Sequence, residues 1–243
     1  MTDETEVPAG ESRRGSEGPA VRRIQEWLCL HGFHVVIDGQ YGPATESAVR
    51  SFQGAGATGV VGTDTFERLI SPMTSARQAI DPRGMSLGAL VVRYAEQHLA
   101  QAPREVGGQN RGPWVRLYMG GREGDQWPWC AGFACFCLRA ASDRLALQSP
   151  IGLSLSCDSL AASARHHGLL VQGAASPPPG VGPGALFLHR RTDSDWTHTG
   201  IVRGTDAEVF HTIEGNTNDD GSREGYEVCA RRRGYGPIDF IRI

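Results

Sequence analysis

The stretch WPWCAGFACFCLRAA, residues 127–141, joins a proline-containing turn to a run of residues typical of a buried helix. Pro128 disfavours helix for the residue before it, and from Cys130 onward the run holds no proline and only one glycine, Gly132. We therefore predict a helix that begins at Cys130. Free N–H groups and the macrodipole at a helix N-terminus stabilise negative charge, so the pattern favours a Cys130 thiolate, which is the nucleophilic form of cysteine.

A metal site and a disulfide are the competing interpretations of Cys130. Cys135 and Cys137 follow it at a spacing that is unusual for zinc, and the chain holds no His-Glu-x-x-His or comparable paired set. A rigid helix between Cys130 and Cys135 opposes a disulfide between them. We expect no metal and no other cofactor, and we expect most of the six cysteines to be small buried apolar residues.

A nucleophilic cysteine needs a base, and the C-terminal third of the chain offers histidines on predicted strands. Five segments are typical of an antiparallel meander: 184–190, 195–203, 208–216, 225–232 and 237–243. The tight turn between the second and third places His198 opposite Ile213 or Glu214. In the second of these registers His198, Glu214 and Asn216 share one face, and an acid or amide there would orient the imidazole. His211 falls on the opposite face.

The N-terminal region contains a weak internal echo. The blocks AVRRIQ and DGQYGPAT recur as AVRSFQ and TGVVGTDT, at residues 20–25, 38–45, 48–53 and 58–65. Each six-residue block suits a helix, and a third helix follows the second glycine-rich turn. The echo predicts a domain of three short helices over residues 18–71.

The remaining segments and the composition limit the domain organisation and the classes of partner. We expect residues 1–17 to be a disordered tail without an export signal, residues 72–86 to be a linker, and an amphipathic helix to open a second domain over residues 87–243. The net charge of −3 argues against a nucleic-acid partner, and no apolar stretch is long enough to span a membrane. These features predict synthesis in the cytoplasm.

The N-terminal motifs resemble the three-helix peptidoglycan-binding domain. The resemblance rests on Val-x-x-Ile-Gln-x-x-Leu, Asp-Gly-x-Tyr-Gly-Pro-x-Thr, Ala-Val-x-x-Phe-Gln and Val-Gly-x-x-Thr, and it covers nearly all of residues 18–71. It implies docking on bacterial cell wall through a shallow face, which we place around Asp38, Tyr41 and Thr45.

The motifs PWCAGF, THTGIV and IEGNTN, with the ending DFIR, closely resemble the CHAP group of cysteine amidohydrolases and peptidases, relatives of the NlpC/P60 enzymes. The upstream EVGGQNRGPWVRLYM looks like the variant found in phage lysins. The resemblance covers residues 88–243 and implies Cys130 as nucleophile, His198 as general base, and Glu214 as the residue that orients it, with Asn216 as helper or substitute. The expected fold class is α+β: a small three-helix domain followed by a papain-like domain with an antiparallel sheet.

Further residues are candidates for contact with substrate. Trp129 lies beside the predicted nucleophile and is a candidate for lining a substrate groove. The backbone N–H of Cys130 is one expected donor to a tetrahedral oxyanion, and Gln109, Asn110 and Gln126 are candidates for the second donor.

Together the two resemblances imply a peptidoglycan hydrolase that cleaves an amide bond, as an N-acetylmuramoyl-L-alanine amidase or an endopeptidase. Peptidoglycan is the expected partner, and the enzyme would act on the wall after release or delivery, as a phage lysin or an antibacterial effector. An immunity or delivery partner would leave no mark in the sequence. The alternatives are a cytosolic cysteine protease that uses the N-terminal module for recognition, and a non-enzymatic wall-binding protein.

Overall fold

Two units divide the chain in the computed structural model, which describes residues 4–173, 176–218 and 225–243. The first unit comprises residues 1–75 and 104–124, and the second comprises residues 76–103 and 125–243. Helices and an antiparallel sheet occur together, which confirms the predicted α+β class. Within the described ranges, every helix is too short or too polar to cross a bilayer.

Three helices form the N-terminal part of the first unit, as the echo predicts. They are α1 (Pro19–Leu30), α2 (Pro43–Gln53) and α3 (Thr63–Ala76). Their apolar faces supply a core of fully buried side chains that includes Val21, Ile24, Leu28, Val49, Phe66 and Leu69. The first two helices begin with proline, which lacks the N–H that a first helical turn leaves unpaired.

The internal echo has a physical cause in two glutamines that end the repeated blocks. Gln25 Nε2 donates to Asp38 Oδ1 at 2.8 Å and to Thr45 Oγ1 at 3.2 Å, while its Oε1 accepts from a glycine N–H in the same turn. Gln53 repeats the arrangement, since its Nε2 donates to Thr65 Oγ1 and its Oε1 accepts from the N–H of Thr58. Each glutamine thus holds the turn that leads into the next helix.

We predict that Gln25→Met destabilises the first unit more than Gln53→Met. Gln25 is 1% exposed, so the buried Thr45 hydroxyl and Gly39 N–H would lose their partner away from water, at a cost of about 2–4 kcal/mol in the free energy of unfolding. Gln53 is only partly buried, so water can replace its contacts. Urea unfolding of the two full-length variants measures the difference, and an equal loss would contradict the assigned role of Gln25.

The N-terminal residues differ from the predicted disordered tail. Among residues 4–17, Ser12 pairs with Val61 and Glu17 with Gln40 in isolated antiparallel bridges. The Ser12 N–H donates to the Val61 carbonyl at 3.0 Å. The prediction of disorder was therefore wrong for this stretch, because its backbone finds partners in the turns between the helices.

Residues 104–124, which the sequence analysis assigned to the second domain, belong to the first unit. They include α5 (Pro113–Tyr118), whose Trp114 ring packs edge-on against Trp27 with centroids 5.9 Å apart. Arg116 in this helix pairs with Glu26 at 2.7 Å, and Glu26 is fully buried. Aromatic packing and this buried ion pair attach the segment to α1, so the second domain is not one continuous stretch.

The second unit contains α4 (Leu87–Leu99), α6 (Cys130–Arg144) and α7 (Cys157–His166) beside a six-stranded antiparallel sheet. The strands are β1 (Leu170–Val171), β2 (Leu186–Thr192), β3 (Asp195–Thr205), β4 (Val209–Thr217), β5 (Glu227–Gly234) and β6 (Ile238–Ile241). Their order in the sheet is β1-β6-β2-β3-β4-β5. Five strands fall where the meander was predicted, and the two-residue β1 was missed.

The predicted linker, residues 72–86, is structured. Its first five residues continue α3 to Ala76, and further along the Ile80 carbonyl accepts from Arg144 Nε at 2.7 Å. Proline alone was a poor guide here, because Pro72 lies inside the helix.

A bulge changes the register between β3 and β4. Ile201 pairs with Ile213, and the register shifts between Val202 and Gly204. Both predicted partners of His198 were wrong, because the hairpin turn lies two residues further along the chain than predicted, where Thr205 pairs with Phe210, and the bulge offsets this by only one residue. The register of Ile201 with Ile213, continued along the strands, moves the position opposite His198 from Glu214 to residue 216. A shift by two residues leaves each side chain on the same face, so His198 and Glu214 still lie on a common side.

Candidate active site

Cys130 is the first residue of α6, as predicted, and is only 4% exposed. Its Sγ lies 3.9 Å from Cys157 Sγ. The pKa of the Cys130 thiol is lowered well below its ordinary value, first by the hydrogen bond with Cys157, then by the bond with His198 and its charge, and by the Thr199 N–H. These contacts outweigh burial, which acts in the opposite direction. The site therefore favours a thiolate.

His198, on β3, joins this sulfur to a carboxylate. Its Nε2 lies 2.8 Å from Glu214 Oε2, which leaves Nδ1 as the ring nitrogen for Cys130. Burial lowers the pKa of the imidazole, but the contacts with Cys130 and Glu214 raise it to about 9. The pair is therefore stable as thiolate and imidazolium, in which the proton resides on the ring.

Glu214, on β4, is fully buried and still ionised. Burial raises the pKa of its carboxyl, but hydrogen bonds from Arg233 and His198 lower it to about 2. Arg233 Nε donates to Oε1 at 2.6 Å and Nη2 donates to Oε2, so the guanidinium grips the carboxylate through both oxygens. Thr212 Oγ1 also donates to Oε1. The carboxylate is fixed in the orientation that holds the imidazole.

Two glycines make room for this arrangement. A Cβ on Gly200 would lie 2.7 Å from Glu214 Cγ, so any side chain there would displace the carboxylate. A Cβ on Gly215 would lie 2.6 Å from Phe133 Cβ, on the helix that carries Cys130. The glycines of the motifs THTGIV and IEGNTN thus allow β3, β4 and α6 to approach closely enough for the three side chains to meet.

Asn216 does not hold the position predicted for it. The backbone reaches a left-handed φ of 53° at this residue, within a register shift between Glu214 and Thr217, and this breaks the alternation of faces. Its Oδ1 is buried and has no hydrogen-bond partner in the described parts of the chain. The imidazole of His198 bonds to the carboxylate of Glu214.

Trp129 was predicted to line a substrate groove, but its side chain is 0% exposed. It belongs to the core beneath the start of α6, where its ring approaches Gly215. Gln109 and Asn110 lie in the first unit, and Asn110 is buried with its N–H donating to Glu105 Oε2. Their role as oxyanion donors stays a prediction, as does that of Gln126, which is exposed on the second unit.

The predicted wall-binding face is mostly interior. Tyr41 is 2% exposed and its hydroxyl donates to the Gly59 carbonyl, while Thr45 is 3% exposed and bonded to Gln25. Asp38 is exposed, but its Oδ1 accepts from Gln25 and from the Gln40 N–H. These residues shape a turn, so Tyr41 and Thr45 offer no surface to a ligand.

Sequence reasoning missed two residues of the site, Arg233 and Cys157. Arg233 is one of three consecutive arginines, and nothing in that run distinguishes it before the pairing of β4 with β5 is known. Cys157 could have been found from the sequence. It follows Ser156, a residue type that favours a helix N-cap, and so begins a helix as Cys130 does.

We predict that Arg233→Met raises the pH at which the second unit unfolds in acid. A carboxyl whose pKa is lowered on folding stabilises the protein above its unfolded value of about 4.5, and this stability is lost as the pH falls through about 2. Without Arg233 the pKa of Glu214 rises, so the loss begins at higher pH. Circular dichroism against pH measures the midpoint, and Arg232→Met, which alters an exposed neighbour, should leave it unchanged.

Comparison with known proteins identifies the first unit. Residues 17–69 match the family described as "Putative peptidoglycan binding domain". The chain carries a peptidoglycan-binding domain. This agrees with the resemblance drawn from the N-terminal motifs, and the matched residues lie within the three helices whose turns Gln25 and Gln53 hold.

A curated relative shares part of the chain. The zinc D-Ala-D-Ala carboxypeptidase of Streptomyces albus G is 40% identical over 67 residues, which is 25% of this chain and 26% of the relative. The chain thus spans about a quarter of the relative that it matches. Within residues 4–173, 176–218 and 225–243, no three His, Cys, Asp or Glu side chains form a group that could hold a metal ion.

Two solved structures also share local similarity with this chain. The SleB N-terminal domain is 30% identical with a TM-score of 0.26, over 27% of this chain and 96% of that one. The Burkholderia AP3 phage endolysin is 28% identical with a TM-score of 0.24, over 41% of this chain and 42% of the endolysin.

Proposed function

We propose that this protein is a peptidoglycan hydrolase whose second unit cleaves an amide bond by a CHAP-type thiol mechanism. The observation that carries the proposal is the chain of contacts from Cys130 through His198 to Glu214. A nucleophile at a helix start, a base bonded to it and a third group that orients the base are the parts that thiol catalysis requires. The peptidoglycan-binding domain supports the choice of substrate.

In the proposed reaction the Cys130 thiolate attacks the carbonyl carbon of the amide and forms a tetrahedral oxyanion. The backbone N–H of Cys130 is one donor to this oxyanion. His198 then gives its proton to the leaving nitrogen, the C–N bond breaks and a thioester remains. Neutral His198 next takes a proton from water, which attacks the thioester and releases the carboxylic acid and the thiolate.

Glu214 acts through His198 in this scheme. Its carboxylate stabilises the imidazolium and fixes the ring so that Nδ1 faces the sulfur. The side chain of His198 is 18% exposed whereas that of Glu214 is 0% exposed, so substrate approaches from the imidazole side.

The attached binding domain raises the local concentration of its ligand at the catalytic unit, which allows a weak catalytic site to act on the wall. The amide is either the N-acetylmuramoyl–L-alanine bond or a peptide bond of the stem or bridge. Both bonds present an amide carbonyl to the thiolate, so the two cleavages are distinguished by the chemical identity of the released fragment.

The test is to incubate the purified protein with bacterial sacculi and identify released fragments by mass spectrometry. We expect new amine and carboxylate ends at one amide bond. Iodoacetamide should abolish release, and a metal chelator should leave it unchanged. Release that survives alkylation but is lost with the chelator would replace the thiol mechanism with metal chemistry of the kind named for the Streptomyces relative.

A further inference from the structure

A second thiol lies against the proposed nucleophile. Cys157 is the first residue of α7 and Cys130 is the first residue of α6, so two helix N-termini direct their cysteines toward one point. The two sulfur atoms are 3.9 Å apart. Both residues are buried, at 4% exposure for Cys130 and 8% for Cys157. The proposed amide hydrolysis makes no use of Cys157.

We infer that Cys157 is a modification site: it is the resolving thiol that closes a reversible disulfide with Cys130 when a hydroperoxide oxidises Cys130. A disulfide holds its sulfurs about 2.0 Å apart, so the two atoms need to approach by about 2 Å, and rotation of the side chains can supply that movement.

The chemistry balances with the peroxide as the only oxidant. The Cys130 thiolate attacks one peroxide oxygen, the O–O bond breaks, and with one proton the products are a sulfenic acid and water. The Cys157 sulfur then attacks the sulfenic sulfur, its thiol proton leaves with the hydroxyl as a second water, and the S–S bond forms. A dithiol reductant reverses the bond by exchange and returns both thiols.

The protonation states of the pair suit these roles. The pKa of Cys130 is lowered, so this sulfur is the one that meets peroxide as a thiolate. The pKa of Cys157 is raised, first by its hydrogen bond with Cys130 and then by burial, so it keeps its proton until the sulfenic acid has formed.

The other helix cysteines have different environments. Cys135 donates its thiol to the Ser154 carbonyl at 3.2 Å, and Cys137 is fully buried deeper in α6. The pKa of Cys135 is raised by burial to about 11. Cys157 is therefore the thiol in place to resolve an oxidised Cys130, and Cys135 offers a matched control on the same helix.

In the experiment, the reduced protein is treated with hydrogen peroxide and then alkylated under denaturing conditions. Its mass is measured by mass spectrometry before and after alkylation. We expect wild type and Cys135→Ser to lose two alkylatable thiols, to become about 2 Da lighter before alkylation, and to yield a peptide pair that joins Cys130 to Cys157. Dithiothreitol should restore full alkylation. Cys157→Ser should instead carry a dimedone adduct on Cys130, because its sulfenic acid has no partner.

The inference fails if Cys157→Ser loses the same two thiols as wild type, or if wild type accumulates the dimedone adduct without the linked peptides. Serine is nearly isosteric with cysteine, and far-UV circular dichroism of the reduced variant confirms its fold before oxidation. These readouts are chemical, so they decide on the disulfide even if the proposed hydrolysis fails its own test on sacculi.

Discussion

Cys130→Ala should reduce fragment release from sacculi by at least about 10³-fold, because it removes the only atom that forms the covalent intermediate. The remaining contacts can bind substrate but lack the thiolate that contacts His198. Binding to sacculi should be retained, since the peptidoglycan-binding domain covers residues 17–69 and does not include this cysteine. Release is measured by mass spectrometry and binding by co-sedimentation.

Cys135→Ala is the matched control for this loss. It removes a buried thiol from the same helix without touching the sulfur that contacts His198. It should keep release within a few-fold of wild type. If both variants lose release and binding together, the loss reflects a folding defect, and if Cys130→Ala keeps the wild-type rate, the thiol mechanism is wrong.

The sequence was a good guide to this site where local chemistry decides the structure. Pro128 before a run of helix-compatible residues was enough to place Cys130 at the start of α6, and alternation of residues was enough to bring His198 and Glu214 to one face. Gly200 and Gly215 lie in the short motifs THTGIV and IEGNTN, so they too are local features of the sequence. Each leaves space that a Cβ would fill.

Prediction failed where the outcome depends on pairing between distant strands. The turn between β3 and β4 lies two residues later than predicted, and a bulge between Val202 and Gly204 offsets the register by one residue. Neither position is marked by a particular residue type in this hairpin. Arg233 could be recognised only after β5 was placed beside β4, because its bond to Glu214 crosses 19 positions of the chain. Asn216 lost its predicted role through one left-handed residue.

Burial was the other source of error. The resemblance predicted Tyr41 on the wall-binding face, and proximity to the nucleophile predicted Trp129 in a substrate groove, yet both side chains are in the core. Large amphipathic rings suit a core and a binding groove equally well, and composition does not distinguish the two. The segment 104–124 was assigned to the wrong unit for a related reason, since its attachment to the first unit depends on buried contacts such as the Trp114–Trp27 packing and the Arg116–Glu26 ion pair.

Glu214→Gln should lower the rate of release by about 10²-fold or more and narrow its pH range. The amide cannot stabilise the imidazolium as the carboxylate does, so the pKa of His198 falls below its present value of about 9. Activity needs the proton on His198, which wild type loses as the pH rises through about 9. In the variant the alkaline limb of the pH–rate profile, where activity falls, therefore moves to lower pH. Because the imidazolium is less stable in the variant, the pKa of Cys130 rises. The acid limb of the profile, where activity first appears, therefore moves to higher pH.

The same substitution should change the dependence of stability on pH. A histidine whose pKa is raised on folding stabilises the protein fully below its unfolded pKa of about 6.5, and this stability is lost as the pH rises through about 9. With Gln at position 214 the shift is smaller, so the stability gained from His198 is smaller and is lost at lower pH. Urea unfolding from pH 6 to about 10 measures the difference.

Asp206→Asn separates this effect from the loss of any histidine–carboxylate contact. His211 Nε2 lies 2.8 Å from Asp206 Oδ2, as His198 does from Glu214, but this second pair is on the surface. Solvent screens its charges, so removing Asp206 should leave the rate and both pH limbs unchanged. The pH profile of iodoacetamide alkylation at Cys130 reports the ionisation of the thiol, and its change when the imidazole loses its proton, without substrate. If Glu214→Gln leaves that profile where wild type has it, the carboxylate does not set the charge of the thiol–imidazole pair, and Glu214 is only a structural contact.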